Sequence, residues 1–237
     1  WLHPPARAAL KGLGVALPTC VSTYETGRGF VVFPDDGSDA LVLHYDAGST
    51  GFAVEHSELV EAIRASATGH DLIDYVPYAR VTSIEGQRLE WTLKYGRGGT
   101  AATAGRIIGA DGRSSIARKT LGLPTDDRVT CSRMAGVLLE GVELPHEGFG
   151  HVLLGGPGPV LAYRIGTDSV RLCIDVPLAA HRGRQDHAAW LWDAFAGVLP
   201  GALRAAFKEQ LSQGRVQWAI NQVRPRTTYG RKGLALV

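Results

Sequence analysis

A mixed α/β and α+β architecture follows from three features of the chain. The short apolar run Arg106-Ile107-Ile108-Gly109 ends in Ala110-Asp111-Gly112 and leads into a helix opened by serine, the strand, turn and helix of an α/β layer. After Pro124 the character changes to long strand-like runs at Arg133 to Val142, Gly150 to Leu154, Val160 to Ile165 and Val170 to Val176, with hairpin turns such as Gly166-Thr167-Asp168. Two helical patterns follow, one lining Ala188, Leu191, Trp192, Phe195, Val198 and Leu199 on a face and the other Leu203, Ala206, Phe207 and Leu211, with Pro200 at the join. An α/β part resting on the Asp111 strand and a terminal strand is therefore expected beside a larger antiparallel sheet backed by helices.

The remaining elements read in order. Pro4 to Leu13 places Leu10 and Leu13 at helical spacing with Gly14 behind them, a short helix ended by glycine. Phe30 to Phe33, Leu41 to Tyr45 and Gly51 to Val54 are short β runs separated by Pro34-Asp35-Asp36-Gly37 and Asp46-Ala47-Gly48, which predicts a three-stranded antiparallel meander. A helix is expected from Ser57, with Ser57 as its cap, Glu58 in the positive first turn and Leu59, Val60, Ile63 and Ala67 as its packing stripe. Val81 to Ile84 and Leu89 to Tyr95 form a hairpin turning at Glu85-Gly86-Gln87. Gly233-Leu234-Ala235-Leu236-Val237 reads as a strand buried on both faces. That strand, and Trp1 in place of Met, suggest a chain trimmed at both ends.

Composition narrows the function classes. The 237 residues carry 25 Lys+Arg against 23 Asp+Glu, a net charge of +2, so no strong attraction to nucleic acid is expected. With 45% apolar and 20% charged residues the chain has the balance of a folded domain. Its longest uncharged apolar stretch, Val152 to Tyr163, is broken by Gly155, Gly156, Pro157, Gly158 and Pro159, which predicts no transmembrane segment. Cys20, Cys131 and Cys173 are odd in number and far apart; they suit a reducing compartment and a cytoplasmic location better than a disulfide framework or a zinc site. The histidines show no ligand spacing on one helix face, so no metal is expected.

Common catalytic constellations are absent: there is no H-E-x-x-H, G-x-S-x-G, phosphate-binding G-x-x-x-x-G-K-[ST] or paired C-x-x-C. The informative segment is Gly109-Ala110-Asp111-Gly112-Arg113-Ser114-Ser115-Ile116-Ala117-Arg118. Asp111 at the C-terminal end of a strand stands where open α/β sheets bind ligands, and Gly112 permits a tight turn or close backbone approach. The carboxylate can accept sugar hydroxyls, and Arg118 can clamp it or a phosphate. On these grounds alone, a structural Asp-Gly turn capped by serine is an equally good reading.

Asp-Gly-x-x-Ser-x-x-Arg after a short apolar strand resembles the second fingerprint of flavin-dependent monooxygenases of the aromatic-hydroxylase type. The order of the surrounding elements agrees across essentially the whole chain. Gly155-Gly156-Pro157-Gly158-Pro159-Val160-Leu161-Ala162-Tyr163, followed by Val170-Arg171-Leu172-Cys173-Ile174-Asp175-Val176, looks most like the squalene-epoxidase branch. The resemblance implies a partial Rossmann-like FAD-binding domain formed by 1–24, 55–125 and 223–237, and an antiparallel-sheet substrate domain with two helices formed by 25–54 and 126–222. It also implies that the first glycine-rich fingerprint would precede Trp1 and that the third, a Gly-Asp, would follow Val237.

Carried over position by position, the resemblance places Asp111 and Gly112 near the FAD ribose and pyrophosphate, with Ser115 and Arg118 steadying the turn. His56 would lie against the flavin's tail and the backbone of Val81 against the adenine. Tyr163, and Trp218 after it, are the substrate-side candidates, beside the ordinary alternative that each only packs in its sheet. The implied reaction puts one oxygen atom of dioxygen into an apolar unsaturated or aromatic small molecule, with NADPH or NADH as electron donor. No residue is assigned as an acid–base catalyst, because the chemistry belongs to the cofactor. A flavin-dependent isoprenoid reductase and a non-catalytic remnant of the same fold are the alternatives.

Overall fold

The computed structural model describes residues 1–17, 27–123, 128–181, 186–223 and 228–237. Cys20 lies outside the described residues, and Cys131 and Cys173 form no disulfide among the described residues. By contact the chain separates into two compact units, Trp1–Ile73 with Cys131–Asn221, and Asp74–Thr130 with Gln222–Val237. The helices expected near the start of the cofactor-binding part thus group with the large sheet.

The first unit is built on a seven-stranded sheet. Its strands are β1 (Gly29–Phe33), β2 (Leu41–His44), β7 (Val129–Glu140), β8 (Phe149–Leu153), β9 (Val160–Ile165), β10 (Ser169–Pro177) and β11 (Gln217–Val223), in the order β11-β7-β10-β9-β8-β1-β2. The run β8-β9-β10-β7 is antiparallel as expected, whereas β1 joins it parallel to β8 through Gly29 opposite Phe149 and Phe33 opposite Leu153. Strand alternation turns one row of directly opposed residues, Val31, His151, Ala162, Leu172 and Val137, to one face, and all five are fully buried. Helices α5 (His187–Phe195) and α6 (Gly201–Ser212) supply Leu191, Phe195, Leu203, Phe207 and Leu211 to the same core as Val137, Ala162 and Leu172. Each such side chain contributes about 1.5–3 kcal/mol when fully buried. Asp186 caps α5 by accepting from the Ala189 amide at 2.9 Å, and Pro200 precedes α6. A short helix, α4 (Leu178–His181), follows β10.

Helix α1 (Pro4–Gly12) begins with two prolines and buries Leu10 against Phe52 and Val54. Two expectations in this region are corrected. Gly51 to Val54 does not extend the meander: β1 and β2 pair antiparallel, but Gly51 and Phe52 make isolated bridges to Gly27 and Leu2. Helix α2 (His56–Thr68) starts before Ser57, with Glu55 as its cap residue and no side-chain cap. The Glu55 carboxylate instead accepts from Arg171 Nη2 of β10 at 3.2 Å. None of the α2 stripe is buried; Leu59 packs partly on the Leu10 cluster and Ile63 is exposed.

The second unit holds two three-stranded sheets. β3 (Val81–Gln87), β4 (Glu90–Tyr95) and β5 (Thr100–Ala104) form an antiparallel meander, with the β3–β4 turn at Arg88-Leu89. The expected turn at Glu85-Gly86-Gln87 is therefore corrected: the ladder continues through those residues, and Arg88 takes the positive φ of 57°. β6 (Ile107–Gly109) runs parallel to β13 (Leu234–Leu236), which pairs antiparallel with β12 (Gly230–Arg231). Leu234 and Leu236 are buried but Ala235 is exposed, so the terminal strand is covered on one face among the described residues, not on both. Helix α3 (Ile116–Thr120) packs Ala117 on Ile107, Leu234 and Leu236, with Ile84 and Trp91 completing the core. Gly109 is required there, because a Cβ would stand 2.4 Å from that of Ala117.

Among the described residues no helix is long and apolar enough to cross a membrane. Nor do any three of their His, Cys, Asp or Glu side chains gather as a metal site.

Candidate functional site

The Asp-Gly turn sits where strand β6 hands over to helix α3. Asp111 opens a single turn of 3₁₀ helix over Gly112–Ser114, and Gly112 takes φ +68°, the left-handed region that only glycine enters without cost. Its Cβ position faces open space, so the constraint at Gly112 is conformational. Ser115 caps α3: its Oγ accepts from the Arg118 amide at 2.9 Å. Asp111 Oδ2 accepts from the amides of Ile116 at 2.6 Å and Ala117 at 3.1 Å. Burial alone would raise the Asp111 pKa; the hydrogen bonds from Ser115, Ala117 and Ile116 outweigh it and hold the carboxyl below its ordinary value. The carboxylate is thus ionised at neutral pH, and one oxygen is committed to its own turn.

Around this turn lies a cavity of about 270 Å³ lined by Gly109, Asp111, Gly112, Ser115, Leu236 and four long polar side chains, Arg113, Arg118, Arg128 and Gln222. Three guanidinium groups against one carboxylate make its wall cationic. Arg118 is 6% exposed, so one of those charges belongs to the interior of the unit. Four of the expected cofactor residues, Asp111, Gly112, Ser115 and Arg118, are therefore brought together. Arg113, Arg128 and Gln222 join them without having been singled out. Arg113 lay inside the motif, whereas Gln222 and Arg128 come from distant segments whose proximity no spacing could reveal.

The other candidates stand elsewhere. Val81 opens β3 within the same unit, and His56 opens α2 in the first unit with an exposed side chain. Tyr163 sits half-buried on β9, its hydroxyl 3.8 Å from Cys173 Sγ and its ring 6.0 Å from that of Trp1. Burial, followed by the neighbouring Cys173, pushes its phenol pKa up, so it stays a neutral donor. Arg164 turns to the other face as alternation requires, joining Glu147 and the Val142 carbonyl. Trp218 on β11 lies 5.5 Å from the His187 ring and packs on the main core.

The Tyr163 face of the large sheet has a second feature. Leu41, Val32, Val152, Leu161, Cys173 and Gly136 are directly opposed across six strands, forming a row without a charge. A larger cavity of about 830 Å³ in the same unit is lined by Trp1, Phe52, Val142, Glu147, Phe149 and Arg164 among others, and none of the expected residues contributes to it. Its Glu147 and Arg164 are already paired with each other. Size alone does not mark it as the site.

Comparison with known proteins adds what geometry does not. Residues 103–237 match the model of the squalene epoxidase family. The chain is 25% identical to squalene monooxygenase SE2 of Panax ginseng over 96% of its own length and 44% of that protein. It is 29% identical to squalene epoxidase 1 of Arabidopsis thaliana over 96% of its own length and again 44% of the relative. The chain thus spans less than half the length of these relatives. Among solved structures, Pseudomonas aeruginosa PqsL in complex with 2-aminobenzoylacetate superposes with a TM-score of 0.77 at 16% identity, covering 100% of this chain and 66% of that one. Klebsiella pneumoniae HpxO complexed with FAD and uric acid gives 0.73 at 19% identity, covering 100% and 62%. At these identities the structures show a shared fold, and the family match over more than half of the residues carries the assignment: this chain belongs to the squalene epoxidase family.

Proposed function

We infer that the protein carrying this chain is an FAD-dependent monooxygenase that places one oxygen atom of dioxygen on an apolar, unsaturated substrate, using NADPH or NADH as electron donor. The observation that carries this reading is the cationic Asp-Gly turn lying inside the segment matched to the family. The residues present fit a dinucleotide. Guanidinium groups at Arg113, Arg118 and Arg128 suit a diphosphate, and the open space at Gly112 lets a ligand approach the backbone.

In this reading Asp111 and Ser115 lock the turn, Asp111 offers its remaining oxygen to a ribose hydroxyl, and the arginines balance the diphosphate. The backbone of Val81 meets the adenine, and His56 meets the flavin's tail. Bound FAD, once reduced, would supply the activation of dioxygen. The protein's part is to orient substrate and exclude water. The uncharged row from Leu41 to Gly136 suits an apolar chain, since burying an unpaired charge there would cost several kcal/mol. The Tyr163 hydroxyl can orient one polar atom, with Trp218 as a further contact. A cytoplasmic location belongs to the same proposal and rests on the cysteine pattern.

Squalene, the substrate class in the relatives' names, is the first compound to test with the full-length protein, FAD and NADPH. An oxygen-dependent product is expected. Nicotinamide oxidation that yields only hydrogen peroxide with every alkene offered would contradict the reading.

A further inference from the structure

Arg171 of β10 bridges three other elements of the first unit. Its Nη2 donates to Glu55 Oε1 at 3.2 Å, its Nη1 donates to Gln217 Oε1 of β11 at 3.1 Å, and it stands directly opposite Tyr163 of β9. To reach Gln217 the guanidinium crosses β7 beside Gly136, where a Cβ would lie 3.6 Å from Nη1. We propose that Arg171 and Glu55 are a positioning pair for the reaction inferred above: they fix the first turn of helix α2, and with it His56, relative to the strands that carry Tyr163. The inference rests on that reading, in which His56 meets the flavin's tail and Tyr163 faces the substrate.

Helix α2 buries none of its own residues, and Leu59 is the member that packs on an apolar cluster among the described residues. Glu55, just ahead of His56, has an extended backbone at φ −62° and ψ 134°, and its side chain caps nothing. The residue before it, Val54, is buried with Leu10 and Phe52. The chain is thus pinned into that cluster at Val54 and tied to the large sheet at Glu55, so the direction in which α2 departs is set over two residues. A carboxylate beside the helix N-terminus is also favoured by the helix dipole. Solvent screens the ion pair in part, since the Glu55 side chain is 41% exposed and that of Arg171 16%. Its contribution is geometric: a planar fork held at both ends has little freedom left. The pair also lies close to the substrate-side tyrosine. Behind burial and Cys173, which raise the Tyr163 pKa, Arg171 lowers it and Glu55 raises it, so both charges are within electrostatic reach of the phenol. One guanidinium therefore connects the start of α2 to the strand neighbouring Tyr163.

Fluorescence titration of FAD into the full-length protein freed of flavin tests this, with the melting temperature of each variant recorded alongside. Glu55→Gln and Arg171→Gln should each weaken FAD binding by about threefold or more, and the double variant no further than the weaker single, because either change breaks the same link. In a His56→Ala background, itself weakened, Arg171→Gln should change the affinity by less than about twofold. A structural defect unrelated to His56 would multiply with that substitution instead. If Arg171→Gln does not fold, Glu55→Gln at the more exposed position carries the same comparison. Folded variants of the pair, or of His56, with the parent's FAD affinity, or effects that multiply in the His56→Ala background, would overturn the positioning role and leave the flavoprotein reading intact. A parent protein that binds no FAD would remove that reading, and this inference with it.

Discussion

The carboxylate of Asp111 and the amide of Ile116, five positions apart, meet at 2.6 Å, and the same oxygen holds the Ala117 amide at 3.1 Å. The residue expected to face a cofactor therefore also satisfies the first two amides of helix α3, beside the Ser115 cap. Asp111→Ala should cost about 1–3 kcal/mol of stability as well as flavin affinity. Asp111→Asn keeps an acceptor oxygen and should lose much less stability. Denaturant unfolding at pH 7 checks the order. An Asp111→Ala variant as stable as the parent would contradict the capping role. Because hydrogen bonding depresses this pKa below 3.8, the contribution is present above that pH and lost as pH falls through the folded-state value.

His151 also loses stability on acidification, but in a higher pH window. It is fully buried, its Nε2 accepts from the His146 amide at 3.2 Å, its Nδ1 lies 3.1 Å from the Phe149 carbonyl, and Phe33 stacks on its ring at 5.7 Å. Burial, followed by the neighbouring His146, lowers its pKa from 6.5 to about 4. Between these values the unfolded chain binds a proton that the folded one does not, so stability should fall as pH drops from 6.5 towards 4, by about 2–3 kcal/mol at the limit. Melting curves at pH 7 and 5 for the parent and His151→Gln measure the difference. An equal slope in both would assign the acid sensitivity to other groups.

Gly109→Ala should destabilise the second unit by about 1–3 kcal/mol, because the new methyl falls 2.4 Å from Ala117 Cβ and 3.3 Å from Leu236 Cδ2. Far-ultraviolet melting reads this directly. A neutral substitution would mean that β6 and α3 are free to separate.

The 237-residue chain by itself should bind FAD more weakly than about 10 μM. Its Asp-Gly cavity of about 270 Å³ is below the roughly 300–1,000 Å³ of pockets that enclose a drug-sized ligand, and so can take only part of a dinucleotide. Fluorescence titration with FAD tests it, and stoichiometric micromolar binding would contradict it.

Much of this fold was legible because local chemistry and tertiary environment agree. Ser115 caps α3, Pro200 precedes α6, and the turn after Ile165 joins β9 to β10, as residue types dictate. The failures occur where a distant partner decides. Ser57 would cap a helix on local grounds, yet the chain becomes helical earlier, after Glu55 is held by Arg171, 116 positions away. The parallel pairing of β1 with β8 joins segments whose sequences carry no sign of each other. Ala235 shows the same limit in a strand, since an apolar run does not reveal how many faces are covered. At the site, the motif exposed Asp111, Gly112, Ser115 and Arg118 together, but Arg128 and Gln222 reach the cavity only through the fold.

Product mass after turnover under heavy-isotope dioxygen separates oxygen insertion from reduction. With the full-length protein, FAD, a nicotinamide donor and an apolar alkene, one labelled oxygen atom per product is expected, and no product without air. A product heavier by two hydrogens, formed equally well in the absence of dioxygen, would contradict it and place the protein among the flavin-dependent reductases.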